Sequence, residues 1–258
     1  MINYEKQIEE KGCYDVVVAG GGVAGVAAAL SAIKNGKRVL LIEKSMKLGG
    51  LATLGLINLF VPMCNGRGKQ IIFGMAEEFL RLSIKYGYGD VPKEFNNGKI
   101  SDEDLKKYEK SGDLPPRYMT RYSAEIFALC LTELISDNGV NLLFDTVVTD
   151  VVAEEFNKKK VKGVIVENKS GSGFYKAKMF IDATGDADIM YKAGMPLVTR
   201  SNYHSYMGFY LTLKSCEDAV KHNDIGKCFN YFGGGMQIFT AADIRKACRF
   251  MTVPTPMI

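Results

Sequence analysis

The sequence predicts an α/β protein with a parallel central sheet, a β hairpin or meander, and an incomplete second α+β layer. Three observations predict this class. A β-α-β pattern occupies residues 15–43, three strand-like segments follow a second long helix, and a further strand-like segment begins near Tyr203. Hydrophobic residues make up 47% of the 258 residues and charged residues 24%, a composition typical of a globular protein with a sizeable core.

The β-α-β pattern opens with residues 15–19, DVVVA, a short apolar run typical of a buried parallel strand. Glycines follow at once, and the segment AGVAAALSAIKNG then shows helical spacing and a stop signal at Asn35-Gly36. Residues 38–43, RVLLIE, form the next predicted strand. We expect the two strands to lie side by side and parallel, as in other β-α-β units.

Residues 56–122 are predicted to be an insertion outside this sheet, and to form a substrate or cap region. We expect a helix from Met75 to Tyr86. The polar segment at residues 96–118, NNGKISDEDLKKYEKSGDLPPRY, is predicted to be irregular.

The second half of the chain is predicted to complete the sheet. Ser123 caps a long helix that Gly139 closes. The turn SGSG joins the last two strand-like segments as a hairpin, and a short helix ends at Gly194. Three segments are predicted to be strands: LLFDTVVTDVVAEEF (residues 142–156), KGVIVENK (162–169) and GFYKAKMFI (173–181).

The domain boundaries follow from these elements. Residues 12–55 and 123–200 are predicted to form one discontinuous nucleotide-binding domain. Residues 201–258 are predicted to begin a second, substrate-binding domain, either whole or truncated, with a helix from Thr240 to Phe250.

Charge and cysteine content exclude several classes of protein. The net charge of +4 comes from mixed signs, and its one basic run, Lys158 to Lys160, lies in a predicted turn, so nucleic-acid binding is not expected. The six cysteines form no Cys-x-x-Cys pair and no zinc-type spacing with either histidine, which indicates a reducing compartment and no metal site. Asp186 and Asp188 are interpreted as carboxylates at the start of a helix, stabilised by the helix dipole, and not as metal ligands.

The N-terminus lacks an apolar signal core and no segment is long enough to span a membrane, so we expect a cytoplasmic protein.

A dinucleotide fingerprint follows the first strand. Gly20 permits a tight turn, Gly22 lets a pyrophosphate approach the backbone, and Gly25 lets helix and strand pack closely. The helix start, including Val23 and Ala24, offers N–H groups and a positive dipole end to the phosphates. Glu43 ends the second strand, where a carboxylate can accept both ribose hydroxyls and disfavours a 2′-phosphate; we include the adjacent Lys44 in the site.

A second glycine pair, Gly49-Gly50, lies shortly after this acid. An NAD domain does not require it. FAD is longer and lies extended, so its ribityl chain and ring must pass over further backbone. The pair is therefore predicted to give that close approach, together with the N–H groups of Gly50, Leu51 and Ala52.

Two segments, EKSMKLGGLATLGLIN (residues 43–58) and FIDATGDADIMYKAGMP (180–196), resemble the FAD-dependent oxidoreductase family of glutathione-reductase-type, two-dinucleotide-binding flavoproteins. The resemblance covers roughly residues 14–200 and implies a Rossmann-like FAD-binding domain. It also implies that Glu43 binds the adenosine ribose, that the GG segment contacts the middle of FAD, and that Val148 pairs with adenine through its backbone. Ala183, Thr184 and Gly185 would then lie against the cofactor.

The flavin would carry out the redox chemistry on a small-molecule substrate that the sequence does not identify. No Cys-x4-Cys pair follows the GG segment, so a disulfide reductase is not expected, and no histidine lies near that segment, so the flavin should be non-covalent. The catalytic candidates are His204, Arg67 and Arg121, for which a structural or solvated role is the alternative.

Two other interpretations stay open. One is an enzyme similar to thiazole synthases, holding NAD or a derived adenylate. The other is a truncated nucleotide-binding module, because proteins of the resembled family run considerably longer and return to the FAD domain. The partners expected besides the substrate are a second copy in a homo-oligomer or a second chain that completes the flavin site.

Overall fold

The computed structural model describes residues 5–65, 68–86, 89–95, 100–113, 115–154, 160–198, 217–218 and 220–222. Arg67, His204, the strand predicted from Tyr203 and the helix predicted at residues 240–250 lie outside these ranges. The chain divides into two compact units, Met1–Leu197 and Val198–Ile258. The first unit carries the sheets and helices discussed below, and the subdivision predicted within it stays a prediction.

The first unit contains two sheets and five α-helices among its described residues. The strands are β1 (Glu10–Ala19), β2 (Val39–Ile42), β3 (Leu59–Phe60), β4 (Thr120–Arg121), β5 (Asn141–Leu143), β6 (Val147–Ala153), β7 (Val161–Asn168) and β8 (Gly171–Asp182), and the helices are α1 (Val23–Lys34), α2 (Met75–Ser83), α3 (Asp102–Ser111), α4 (Ala124–Asp137) and α5 (Asp188–Lys192).

The six-stranded sheet has the order β5-β2-β1-β8-β7-β6. Its first four strands are parallel, and Ala19 at the end of β1 aligns with Ile42 of β2 and with Asp182 of β8. The predicted parallel pairing of the first two strands is therefore confirmed. Their carboxyl ends lie together, which is where ligands bind in open parallel sheets.

The antiparallel part of the sheet folds back over the parallel part. β5 and β6 stand at opposite ends of the strand order, yet only residues 144–146 separate them. Val148, Val164 and Val166 pack with Val17 and Leu40 in one buried cluster. The prediction of one strand from LLFDTVVTDVVAEEF was wrong because Asp145 adopts a left-handed conformation, with φ of 49°, and ends the first strand.

The hairpin between β7 and β8 is present, but its turn differs from the prediction. Asn168 pairs with Gly171, so Lys169 and Ser170 form the two-residue turn. Gly171 and Gly173 of the SGSG segment lie within β8. Gly171 has φ of 105°, which explains a glycine at the first position of the strand.

α1 and α4 cover the other face of the parallel strands. Val26 and Leu30 of α1 pack with Phe127 and Leu131 of α4 against Val18 of β1. Ser123 begins α4 as predicted, since its side chain accepts a hydrogen bond from the N–H of Ile126.

Residues 56–122 contribute no strand to the six-stranded sheet where the structure describes them. They form a separate core in which the ring of Tyr118 stacks on Phe95, with the ring centroids 4.9 Å apart. The prediction that residues 96–118 are irregular was wrong, because they contain α3. Ser101 accepts a hydrogen bond from the N–H of Asp104 at 3.1 Å, and Gly112 closes the helix with φ of 74°.

Candidate functional site

A cavity of about 540 Å³ opens at the carboxyl ends of β1, β2 and β8. Every predicted cofactor residue except Gly25 lines it. The walls come from five places in the chain: the glycine turn after β1, the end of β2, the GG loop, the start of β6 and the turn after β8. Sequence reasoning missed Ala19, Ile42, Ser45, Leu54, Gly55, Thr146, Val147 and Asp188, which also line the cavity.

Gly20 and Gly25 are glycines because of their protein neighbours. A Cβ on Gly20 would lie 2.2 Å from the carbonyl oxygen of Ala183, and φ of 98° disfavours any other residue there. A Cβ on Gly25 would lie 1.7 Å from the carbonyl oxygen of Gly20. Gly25 therefore serves the close packing of α1 on the turn, which explains its absence from the cavity wall.

Gly22 is different, because nothing lies within 4 Å of the position of an added Cβ. Its φ of −63° and ψ of 173° suit any residue. The space that a side chain would occupy belongs to the cavity. Gly22 is also the N-terminal cap residue of α1. It has no side chain that could accept hydrogen bonds from the N–H groups of the first turn, and the first turn contains no acidic residue. This end of the cavity therefore suits an anion.

Glu43 is buried, with 7% of its surface exposed, and both of its carboxylate oxygens are held by backbone. Oε2 accepts the N–H of Gly21 at 2.5 Å, and Oε1 accepts the N–H of Ser45 at 2.7 Å. A carboxylate has about four acceptor positions. Two therefore remain for a diol, such as a ribose, without loss of either backbone hydrogen bond.

The second glycine pair packs directly on the first glycine turn. Gly49 forms a parallel β-bridge with Gly22, and its N–H donates to the carbonyl of Gly21 at 2.8 Å. A Cβ on Gly49 would lie 2.4 Å from Cγ2 of Thr53. A Cβ on Gly50 would lie 3.2 Å from Cα of Gly22. Gly49 therefore makes room for the side chain of Thr53 and Gly50 for the backbone of Gly22, requirements that the sequence alone does not reveal.

The turn after β8 is organised by Asp182. Its Oδ1 accepts from the N–H and the hydroxyl of Thr184, at 3.1 and 2.7 Å, and its Oδ2 accepts from the N–H of Met190 at 3.0 Å. Thr184 in turn accepts from the N–H of Asp188 at 3.0 Å. This network fixes the wall formed by residues 183–185 to the start of α5.

The first residues of β6 close the cavity on another side. Val148 lines the cavity and pairs with Val166 of β7, which leaves β6 as an edge strand whose outer backbone edge has no strand partner in the described sheet. The N–H of Thr146 donates to the carbonyl of Glu43 at 3.1 Å. The start of β6 is therefore tied directly to the end of β2.

Of the three catalytic candidates, the structure describes Arg121, and this residue does not line the cavity. Arg121 lies on β4, opposite Leu59, and is not among the residues that line the cavity. Arg67 and His204 lie outside the described residues. Where the structure describes the chain, no three His, Cys, Asp or Glu side chains are grouped to hold a metal ion. No described helix is long and apolar enough to cross a membrane.

Comparisons with known proteins agree on the family. The family model of the FAD dependent oxidoreductases matches residues 15–223. An aerobic glycerol-3-phosphate dehydrogenase from Staphylococcus haemolyticus is 26% identical over 67% of this chain and 38% of its own length. An uncharacterised protein from the nifH2 5′ region of Methanosarcina barkeri is 30% identical over 73% of this chain and 91% of its own length.

The chain is also similar to a third curated protein and to a solved structure. A digeranylgeranylglycerophospholipid reductase from Methanococcoides burtonii is 28% identical over 67% of this chain and 38% of its own length. The structure of THI4 from Thermovibrio ammonificans has 20% identity and a TM-score of 0.48, and covers 71% of this chain and 64% of that one. The chain spans well under half the length of the two curated enzymes named here.

The family match covers most of the chain and includes both segments that carry the sequence resemblance. The chain belongs to the FAD dependent oxidoreductase family, and its cofactor is FAD.

Proposed function

We propose that this protein binds FAD non-covalently in the cavity at the carboxyl ends of β1, β2 and β8, and oxidises or reduces a small-molecule substrate. The observation that carries the proposal is the open space at Gly22, next to uncapped N–H groups of α1 and to the buried carboxylate of Glu43. Bound flavin would supply the electron-transfer chemistry.

Each wall has a distinct role in this proposal. The N-terminus of α1 and Lys44 would balance the charge of the pyrophosphate, since Lys44 is the one cationic side chain among the described residues of the wall. Glu43 would hold the adenosine ribose and oppose a 2′-phosphate. The backbone of Val148 would meet the adenine, and residues 49–52 and 183–185 would line the path of the rest of the cofactor.

Non-covalent binding is supported by the composition of the cavity wall. Its described residues include no histidine, cysteine or tyrosine, three side chains that can form a covalent bond to flavin. The oxidation or reduction would therefore be carried by a dissociable cofactor.

The location and assembly are also proposals. Free thiols at Cys64 and Cys130, both buried, suit a reducing cytoplasm. Because the chain spans 38% of the length of the two curated enzymes named above, we propose that a second copy of this chain or a second chain completes the flavin site.

The first experiment is the visible spectrum of the purified protein and of the supernatant after heat denaturation, with the nucleotide identified by mass. Released FAD would support the proposal. A colourless protein that takes up no FAD, or one that releases NAD or another adenylate, would contradict it.

The binding site itself is tested with Gly22→Leu. No protein atom lies within 4 Å of the new Cβ and the backbone conformation suits any residue, so the protein should fold and lose FAD. Gly12→Leu is the matched control, because Gly12 lies on β1 away from the cavity and its nearest neighbour is the ring of Tyr14. Unchanged FAD binding by Gly22→Leu would show that the cofactor lies elsewhere.

A further inference from the structure

The hydroxyl of Tyr122 lies against the loop formed by residues 50–57. Its oxygen is 2.5 Å from the carbonyl oxygen of Ile57 and 3.0 Å from that of Ala52. Both partners are acceptors and a phenol carries one proton. The single proton is therefore shared between two carbonyls of the same loop, and the loop places both carbonyls around the hydroxyl.

The loop needs an external support. Backbone hydrogen bonds run from the N–H of Gly55 to Gly50 and from that of Ile57 to Leu51. Between them, Leu56 has φ of 63°, a left-handed conformation that a leucine side chain disfavours. Such a conformation persists when the surrounding contacts impose it.

Tyr122 is rigid enough to give that support. Its side chain is buried, and its ring packs on Phe60 and Phe127 at centroid distances of 5.2 and 5.1 Å. Its own N–H donates to the carbonyl of Asn58 at 3.1 Å, just beyond the loop. Burial also raises the pKa of the phenol to about 12, so the donor proton is retained at any ordinary pH.

The supported loop is one wall of the cavity. Gly50, Leu51, Ala52, Leu54 and Gly55 all line it, whereas Tyr122 does not. We propose that Tyr122 is a positioning residue for the cofactor: its hydroxyl fixes the loop at residues 50–57 in the shape that receives the flavin half of FAD. This inference rests on the proposed placement of FAD in the cavity.

A positioning role has a signature that a general structural role lacks. In the proposed placement, the adenosine and pyrophosphate contact Glu43, Gly22 and the start of α1. The loop at residues 50–57 contacts the flavin half of FAD. Loss of the Tyr122 hydroxyl should therefore weaken FAD and leave ADP unaffected, because ADP contains only the first half. A variant that merely loosens the fold should weaken both.

The test uses Tyr122→Phe in the full chain, stripped of cofactor and titrated with FAD and with ADP by calorimetry. Tyr118→Phe is the matched control. Tyr118 is likewise fully buried, and burial together with its hydrogen bond to Glu77 raises its pKa to about 12, but its hydroxyl donates to Glu77 at 2.6 Å, away from the cavity wall.

We expect Tyr122→Phe to weaken FAD by about tenfold, the equivalent of one buried hydrogen bond, with ADP affinity unchanged. Tyr118→Phe should leave both affinities within about twofold of the parent. A Tyr122→Phe protein that binds FAD as the parent does, that loses ADP equally, or that fails to fold at 10 °C while Tyr118→Phe folds, would overturn the assignment.

The same titrations separate this inference from the proposed function. If the parent protein binds FAD and Gly22→Leu abolishes it, the cavity is the FAD site, and the result with Tyr122→Phe bears on Tyr122 alone. If Gly22→Leu binds FAD as the parent does, the placement of the cofactor is wrong and the positioning role falls with it.

Discussion

Gly22 and Gly49 form a parallel β-bridge, so the two glycine motifs of the sequence make one continuous backbone surface at the cavity. The two glycines nevertheless face different requirements. Gly22 has no neighbour on its side-chain side, whereas Gly49 has φ of 104° and contacts Thr53. Substitution at the two positions should therefore separate cofactor binding from stability.

Gly49→Ala should lower the free energy of unfolding by about 1–3 kcal/mol, because the methyl group clashes with Thr53 and the backbone is left-handed. Gly22→Ala should change the free energy of unfolding by less than about 1 kcal/mol, because the loss of a preferred N-terminal cap residue opposes the gain from a less flexible unfolded chain, while FAD affinity falls. Urea denaturation of the cofactor-free proteins measures the first quantity and calorimetry the second. Equal loss of stability in both variants would contradict this division of roles.

Glu43→Gln should weaken both the fold and the cofactor site. The side chain receives two backbone N–H groups, from Gly21 and Ser45, and a glutamine has one oxygen and one NH₂ group to offer. One N–H would then face another donor, at a cost of about 1–3 kcal/mol in unfolding free energy. FAD affinity should fall in addition, since an acceptor for the ribose is lost. Glu125→Gln, on an exposed ion pair with Lys47, is the control and should change neither quantity.

Asp182→Asn should disturb the wall formed by residues 183–185. Asp182 accepts three hydrogen bonds, from Thr184 twice and from Met190, and an asparagine NH₂ group cannot accept any of them. We expect a loss of about 1–3 kcal/mol in unfolding free energy and weaker FAD binding. Hydrogen exchange should show faster exchange of the Met190 amide, which loses its acceptor. Unchanged protection of that amide would count against the role of Asp182.

The stability of residues 56–122 should depend on the charge of Glu77. Burial raises the pKa of this carboxyl, but hydrogen bonds from Tyr118, Gln70 and Arg81 outweigh burial and leave the pKa below its usual 4.5. Because the folded pKa is lower than the unfolded one, the stabilisation is complete above pH 4.5 and is lost as the pH falls through the folded pKa.

Glu77→Gln should therefore flatten the loss of unfolding free energy on acidification below pH 4.5. The control is Glu78→Gln on the neighbouring residue. Glu78 is exposed, and its Oε2 lies 3.5 Å from Nζ of Lys34 in a surface ion pair, which contributes little to stability. The measurement is thermal unfolding followed by circular dichroism between about pH 3 and pH 7. A parallel pH dependence in the two variants would contradict the assignment to Glu77.

The glycine turn, α1 and Glu43 could be predicted because their signals are local. A strand, a Gly-x-Gly-x-x-Gly turn, a helix and an acid follow one another within residues 15–43, and each element restricts the next. The resemblance added Val148 and residues 183–185, and all of these line the cavity.

The support of the GG loop could not be predicted, because it depends on contacts between distant segments. Nothing around Tyr122 in the sequence indicates that its hydroxyl meets Ala52 and Ile57. The missed helix α3 is a different case. Ser101, Asp104 and Gly112 carry ordinary start and stop signals, but α3 buries no residue and has only Leu105 and Tyr108 as large apolar side chains, so its apolar periodicity is weak.

The position of β8 next to β1 has a consequence for how the protein acquires its cofactor. The carbonyl of Ala19 accepts the N–H of Ala183, so one wall of the cavity is encoded near the start of the chain and the facing wall long after it. Such non-local pairing is slow to form. On the ribosome, the glycine turn and Glu43 emerge while the facing wall has not yet been synthesised. Capture of FAD should therefore be a late event in biosynthesis, and cofactor supply should matter most after β8 has emerged.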